Sequence, residues 1–204
     1  MGQLKKRERK KEKPEETLSI PPIEMLEKEL KREQNKLAQR KGLVKTVGIL
    51  LVVAAVAVLI LTFLFPVVQV YGDSMQTTLY ENDVIIALKT PDINRGDVIA
   101  FWYKNKILVK RVVAMPGEWI DIDKEGNVYI DDDLLEEPYV QQTAFGECNI
   151  TLPYQVPEGR LFVIGDNRGV SVDSRSSLVG CVAAEQIIGK MVFRIWPLEK
   201  IGTF

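Results

Sequence analysis

Histidine is missing altogether from this chain of 204 residues. A serine hydroxyl needs a base to become a nucleophile, and without an imidazole the Ser-His-Asp arrangement is excluded. Any base must be Lys, Asp or Glu, or a water that they activate. Cysteine is nearly missing too. Cys148 and Cys181 are too few for a disulfide framework, and with no histidine beside them a zinc site is not expected. Whether these two pair is left open, because sequence spacing does not report Cα separation. Neither a metal nor a cofactor is therefore expected. Internal repeats are absent, as is low complexity outside a charged tail.

Charge is also missing where it is most informative. The net charge of -1 hides an uneven distribution: residues 1–45 carry 14 Lys/Arg against 8 Asp/Glu, and residues 71–204 carry 13 against 20. An acidic downstream domain argues against nucleic acid as its ligand. Between the two, from Thr46 to Gly72, no charged residue occurs, and Val47 to Leu64 is almost wholly Val, Leu, Ile and Ala. About 20 apolar residues suffice for a helix to cross the hydrocarbon of a bilayer. A core helix without a polar face would be unusual in so small a domain. A secretory signal would begin nearer the N-terminus and end on small residues, whereas this stretch ends at Phe63-Leu64-Phe65-Pro66. The expectation is an uncleaved transmembrane helix within residues 43–70. Lys36, Arg40, Lys41 and Lys45 flank its N-terminal side only, which puts residues 1–42 in the cytoplasm and residues 71–204 outside.

The tail divides into a charged run, Lys5 to Glu16, and a short helix expected from Ile23 to Arg40. Ser19 and the Pro21-Pro22 pair suit its start. Ile23, Leu26, Leu30 and Leu37 recur at helical spacing. Alternating charges mark a solvated face, so a tail held near anionic lipid is favoured over a partner-binding helix.

Beyond the span, strand signals recur at short intervals. Val84–Leu88, Asp97–Tyr103, Lys106–Val113 and Val128–Ile130 are β-branched or aromatic runs, separated by turn-formers such as Asn94-Arg95-Gly96 and Met115-Pro116-Gly117. Arg160–Ile164 and Gly189–Trp196 add two more. The fold class this predicts is mainly β: an antiparallel sandwich or partly open barrel behind one N-terminal transmembrane helix.

Two residues stand out chemically. Ser74 follows the span in Gly72-Asp73-Ser74-Met75, and Lys110 lies in Leu108-Val109-Lys110-Arg111-Val112-Val113. Within a strand, Lys110 shares a face with Leu108 and Val112. Apolar surroundings disfavour the ammonium and lower its pKa, the condition for a neutral amine to accept the Ser74 proton. Alternation gives Arg111 a similar setting with Val109 and Val113, so periodicity does not choose between them. A serine after Gly-Asp is also, taken alone, an ordinary turn residue.

Four stretches, two of them containing Ser74 and Lys110, carry a resemblance over residues 43–204. Gly72-Asp73-Ser74-Met75-Gln76-Thr77-Thr78-Leu79 is similar to the nucleophile box of bacterial type I signal peptidases, the Ser-Lys proteases that remove signal peptides from exported proteins. Arg95-Gly96-Asp97-Val98-Ile99-Ala100-Phe101 resembles their R-G-D strand. Val109 to Glu118 resembles their general-base box, and Gly165-Asp166-Asn167-Arg168-Gly169-Val170-Ser171-Val172-Asp173-Ser174-Arg175 their G-D-N-R box. All four stand in the family's order behind an N-terminal span.

That resemblance implies a signal-peptidase-like catalytic domain, with Ser74 as nucleophile and Lys110 as general base. Ser171 would orient the lysine, and Asp173 and Arg175 would brace that region through an ion pair. The Ser74 amide would donate to the oxyanion, helped by main chain near Gly72. Met75 and Leu79 would help line shallow apolar pockets for small side chains, as in Ala-x-Ala sites. The turn at Asp166-Asn167, with φ > 0 tolerated at Gly165, would bring Ser171 and Asp173 to one site. Two departures occur: Thr77 stands where the family has Pro, and Gly169-Val170 replace polar residues. The implied partners are exported preproteins and membrane lipid. Phe101-Trp102-Tyr103, followed by Lys104 and Lys106, puts amphipathic rings at a hairpin turn where they can meet the headgroup layer. Two other readings are less consistent with the sequence: a self-cleaving repressor-type Ser-Lys protease, which the span disfavours, and an inactive, membrane-tethered binding module, which the presence of both Ser74 and Lys110 disfavours.

Overall fold

The structure, a computed structural model, describes residues 22–204. The charged run Lys5–Glu16 and the Ser19-Pro21 start signal lie outside the described residues.

A single helix, α1, runs from Ile23 to Leu64. The expected short helix and the expected span are therefore one element, since nothing between Arg40 and Thr46 breaks a helix: Gly42 alone costs only about 1 kcal/mol. None of its residues is buried. Its uncharged part has a mean hydropathy of 3.1, long and apolar enough to cross a membrane. The helix ends six residues before the expected boundary at 70. Phe65 N still donates to Leu61 O, but Pro66 has no N–H to continue the ladder. The next residues, Val67–Gln69, form strand β1 instead.

Ten more strands follow: β2 (Val84–Leu88), β3 (Val98–Tyr103), β4 (Lys106–Ala114), β5 (Trp119–Ile122), β6 (Val128–Ile130), β7 (Asp133–Leu134), β8 (Tyr154–Gln155), β9 (Arg160–Ile164), β10 (Val182–Ala183) and β11 (Ile187–Trp196). They form a seven-stranded sheet of order β1-β2-β11-β3-β4-β9-β10 and a four-stranded sheet of order β7-β6-β5-β8. Every pairing is antiparallel. The mainly β, antiparallel class is as the alternating runs predict.

Strand β4 lies in the interior of the large sheet. It pairs with β3, Lys110 standing opposite Ile99, and with β9, Arg111 standing opposite Ile164. Apolar residues pack against both faces: Val98 and Ala100 join a cluster with Met75, Leu79, Ile85 and Ala87, while Ile99, Phe101, Val112 and Val163 join another. From Lys110 to Ala114 every residue of β4 is consequently buried, whichever face it points to. Alternation fails to separate Lys110 from Arg111 for this reason. Cys148 and Cys181 are both free thiols. Cys181 is buried near the Tyr154 hydroxyl, and burial pushes its thiol pKa up.

Candidate active site

Ser74 opens a turn directly after the first strand, where Gln76 N donates to Asp73 O and Leu79 N to Met75 O. Gly72 supplies the left-handed backbone, φ 78°, that starts this reversal. Met75 and Leu79 anchor the turn from below. They are 1% and 0% exposed and belong to the core cluster under the turn. This corrects the expectation that they wall an open substrate pocket: their side chains go to core packing and present no surface. The Ser74 amide makes no hydrogen bond among the described residues, so it is free to donate to a ligand.

Lys110 meets this turn from β4. Its Nζ lies 2.5 Å from Ser74 Oγ, the two residues being 36 apart in sequence. The lysine is only 3% exposed. Burial lowers its pKa from 10.5 to about 8, partly opposed by Asp173 and Asp166 and assisted by Arg175. Its single hydrogen-bond partner among the described residues is the neutral serine hydroxyl, so no carboxylate locks it as an ammonium. A neutral amine at that distance can accept the hydroxyl proton.

Arg111, its neighbour, has a different fate. Nε donates to Asp166 Oδ1 at 2.8 Å and Nη2 to Asp166 Oδ2 at 2.7 Å, the bidentate geometry that guanidinium favours. It also reaches Gly96 O and Thr78 Oγ1, and its guanidinium lies 3.9 Å from the Tyr139 ring centroid. Position alone does not distinguish the two cations; their partners do.

The turn after β9 closes the site. Asn167 N donates to Ser74 O at 3.1 Å and Asn167 Nδ2 to Asp73 O at 3.2 Å, tying it to the Ser74 turn. Ser171 N donates back to Asn167 O, so the chain reverses as the Asp166-Asn167 pair suggests. Gly165 is needed for a different reason from the one expected. Its φ is not positive; it is required by close approach, since a Cβ there would lie 2.2 Å from Ser171 Oγ and 2.4 Å from Ser74 O. Ser171 is buried close to Ser74, but its Oγ makes no hydrogen bond, so the expected contact with Lys110 is not formed in this structure. Asp173 and Arg175 are ion-paired, with Arg175 Nε 2.9 Å from Asp173 Oδ1, both fully buried.

Sequence reasoning missed Glu137, Tyr139 and Thr78. Arg168, buried, bonds Glu137 and donates to Gly165 O. The Thr78 hydroxyl bonds Asp166 Oδ2. Glu137 and Tyr139 fall where no motif is legible. Thr78 lies inside the nucleophile box and was passed over because its partner is 88 residues away.

The family described as signal peptidase, peptidase S26, matches residues 43–196. The chain belongs to this family. Signal peptidase I of Streptococcus pneumoniae serotype 4 is 30% identical, over 80% of this chain and 98% of that protein. Signal peptidase I of Bacillus amyloliquefaciens is also 30% identical, over 84% of this chain and 98% of that protein. A crystal structure of a signal peptidase I from Enterococcus faecalis V583 is similar at 29% identity and TM-score 0.42, covering 48% of this chain and 96% of that one. The protein is accordingly a signal peptidase, a hydrolase that removes signal peptides from preproteins, and its long apolar helix fits a membrane-anchored enzyme.

Proposed function

We propose that this signal peptidase cuts by a Ser-Lys dyad in which Ser74 is the nucleophile and Lys110 the general base. The observation that carries the reading is the 2.5 Å contact between Lys110 Nζ and Ser74 Oγ in a site that desolvates the amine. Neutral Lys110 takes the hydroxyl proton as Ser74 Oγ adds to the scissile carbonyl. The Ser74 amide, helped by the main chain near Gly72, donates to the oxyanion. Lys110 then hands its proton to the leaving amine, and the neutral amine activates a water that hydrolyses the ester. During the interval when Lys110 carries the proton, the buried, unpaired hydroxyl of Ser171 is the group free to accept from the ammonium. Asp173 and Arg175 brace the turn that holds Ser171.

The same reading places the uncharged part of α1, residues 46–64, across the cytoplasmic membrane, with the basic residues at 36–45 inside and the catalytic domain from 71 onward outside. Substrates are then exported preproteins, and the family resemblance implies small residues one and three positions before the cut, as in Ala-x-Ala sites.

The test is cleavage of a preprotein whose signal ends in Ala-x-Ala by full-length protein in detergent. Ser74→Ala, Lys110→Ala and Lys110→Arg should each abolish cutting while the domain stays folded, the last because guanidinium does not deprotonate in proteins. The double variant should be no worse than the singles, as groups that act as a unit are not additive. Cutting at the wild-type rate by Ser74→Ala would overturn the dyad.

A further inference from the structure

We infer that Glu137-Pro138-Tyr139 is a positioning strap, which holds the nucleophile turn and the lysine strand against each other for the cleavage reaction. This rests on the Ser74–Lys110 reading. The segment lies between β7 and β8, outside the boxes that carry the resemblance, yet it touches all three parts of the site. Tyr139 O accepts from Thr77 Oγ1 at 3.2 Å, three residues past Ser74. The Tyr139 ring covers the Arg111 guanidinium at 3.9 Å, one residue past Lys110. Glu137 bonds Arg168, whose own Nε donates to Gly165 O and whose carbonyl accepts from Arg175. The Tyr139 hydroxyl donates to Glu137 Oε1 at 2.9 Å, which joins the two ends of the segment into one unit. Pro138 between them fixes one backbone torsion, so the spacing of the two contacts is stiff.

Each contact is of a kind that sets position. A ring over a guanidinium fixes the plane of Arg111, and its fork in turn fixes Asp166. Thr77 stands where the family has Pro, and its hydroxyl is the group that reaches the strap. In this chain a side-chain bond therefore anchors the turn at the position where relatives carry a ring-restricted backbone.

By holding the turns around Lys110 together, the strap is inferred also to limit the access of water to the amine. The charged groups facing the amine are Asp173 and Arg175 on the turn after β9 and Asp166 at its start, with Arg111 beside it on β4. The strap adds Glu137, neutralised by Arg168, and a Tyr139 hydroxyl that burial keeps protonated. Loosening it admits water, rehydrates the ammonium and moves the titration of Lys110 upward.

The experiment follows kcat/KM against pH for full-length protein in detergent on an Ala-x-Ala preprotein, with thermal melts alongside. Tyr139→Leu, which removes the ring, should lower kcat/KM on the order of a hundredfold, as misplaced groups do, and shift the profile to higher pH. Thr77→Val should shift it in the same direction to a lesser extent, and Thr77→Ser, which keeps the hydroxyl, should restore the wild-type profile. A strap that is only structural would lower the melting temperature and leave the profile of the active fraction where it was. That result in Tyr139→Leu overturns the proposal. Should Tyr139→Leu fail to fold, the Thr77→Val and Thr77→Ser pair decides, with superimposable profiles overturning it. Ser74→Ala in parallel separates the two claims: if it still cuts, the dyad fails; if it is dead and the profiles do not move, only the strap fails.

Discussion

Asp173 and Arg175 are two residues apart and bonded twice in the interior, Nε to Oδ1 and Nη2 to Oδ2, both at 2.9 Å. Arg175 spends its remaining donors on the carbonyls of Phe145, Arg168 and Ser171. It thereby stitches the turn after β9 to the segment before β8. Asp173 also accepts from Gly165 N. Removing one partner leaves a buried charge without compensation, which costs about 3–5 kcal/mol, far more than the net worth of the pair. Asp173→Ala and Arg175→Ala should each lower the unfolding free energy by that order in urea titrations. A change under about 1 kcal/mol, the level of an exposed ion pair, would contradict the burial described here.

Lys110 ties activity and stability to pH in the same window. On the proposed Ser74–Lys110 reading only the neutral amine acts as base, so kcat/KM should rise with pH about an apparent pKa of about 8. The folded-state pKa is depressed below the 10.5 of free lysine, so between about 8 and 10.5 the unfolded chain binds more protons than the folded one. Stability should therefore increase through that window, be fully present above it, and be lost as pH falls through 8. Measuring the difference between wild type and Lys110→Met cancels the other titrating groups. A flat difference, or a flat activity profile, would rule out a desolvated base.

Gly165 tests the geometry most sharply. A Cβ at this position would meet Ser74 O at 2.4 Å, a backbone atom that cannot move without carrying Ser74 with it. Gly165→Ala should cost on the order of a hundredfold in kcat/KM, as displaced nucleophiles do, in steady-state assays. Full activity in this variant would mean that the two turns do not approach as described.

Trp102 offers a test of lipid contact. It is 51% exposed beside the β3–β4 turn at Lys104, whereas Phe101 is buried in the core and the Tyr103 hydroxyl donates to Leu178 O at 3.0 Å. Of the three aromatic residues, only Trp102 is free to enter a headgroup layer. In reconstituted full-length protein with Trp119 and Trp196 changed to Phe, Trp102 fluorescence should be quenched by brominated lipid. Emission unchanged between brominated and ordinary vesicles would make this turn purely structural.

Local patterns were enough to place much of the fold. β2, β6 and β9 run over the predicted residues, because each is a continuous apolar or β-branched run bounded by turn-formers. β1, β7, β8 and β10 were not legible: two or three residues carry no periodicity, and such strands exist only because a neighbour offers a ladder. The span was legible from its missing charge, but its union with the preceding helix was not, since a change of composition need not break backbone hydrogen bonds. At the site, the residue types and order in the boxes singled out Ser74, Lys110, Asp173 and Arg175. What only the tertiary structure decided is which cation stands free. Lys110 and Arg111 are adjacent, buried and alike in pattern, and they differ because Asp166, 55 residues further on, neutralises Arg111 and leaves Lys110 against a hydroxyl. Met75 and Leu79 show the same limit, as no pattern along the chain says whether an apolar side chain lines a groove or fills the core beneath it. Pairing and desolvation depend on atoms brought together from distant positions, so they arise only on folding.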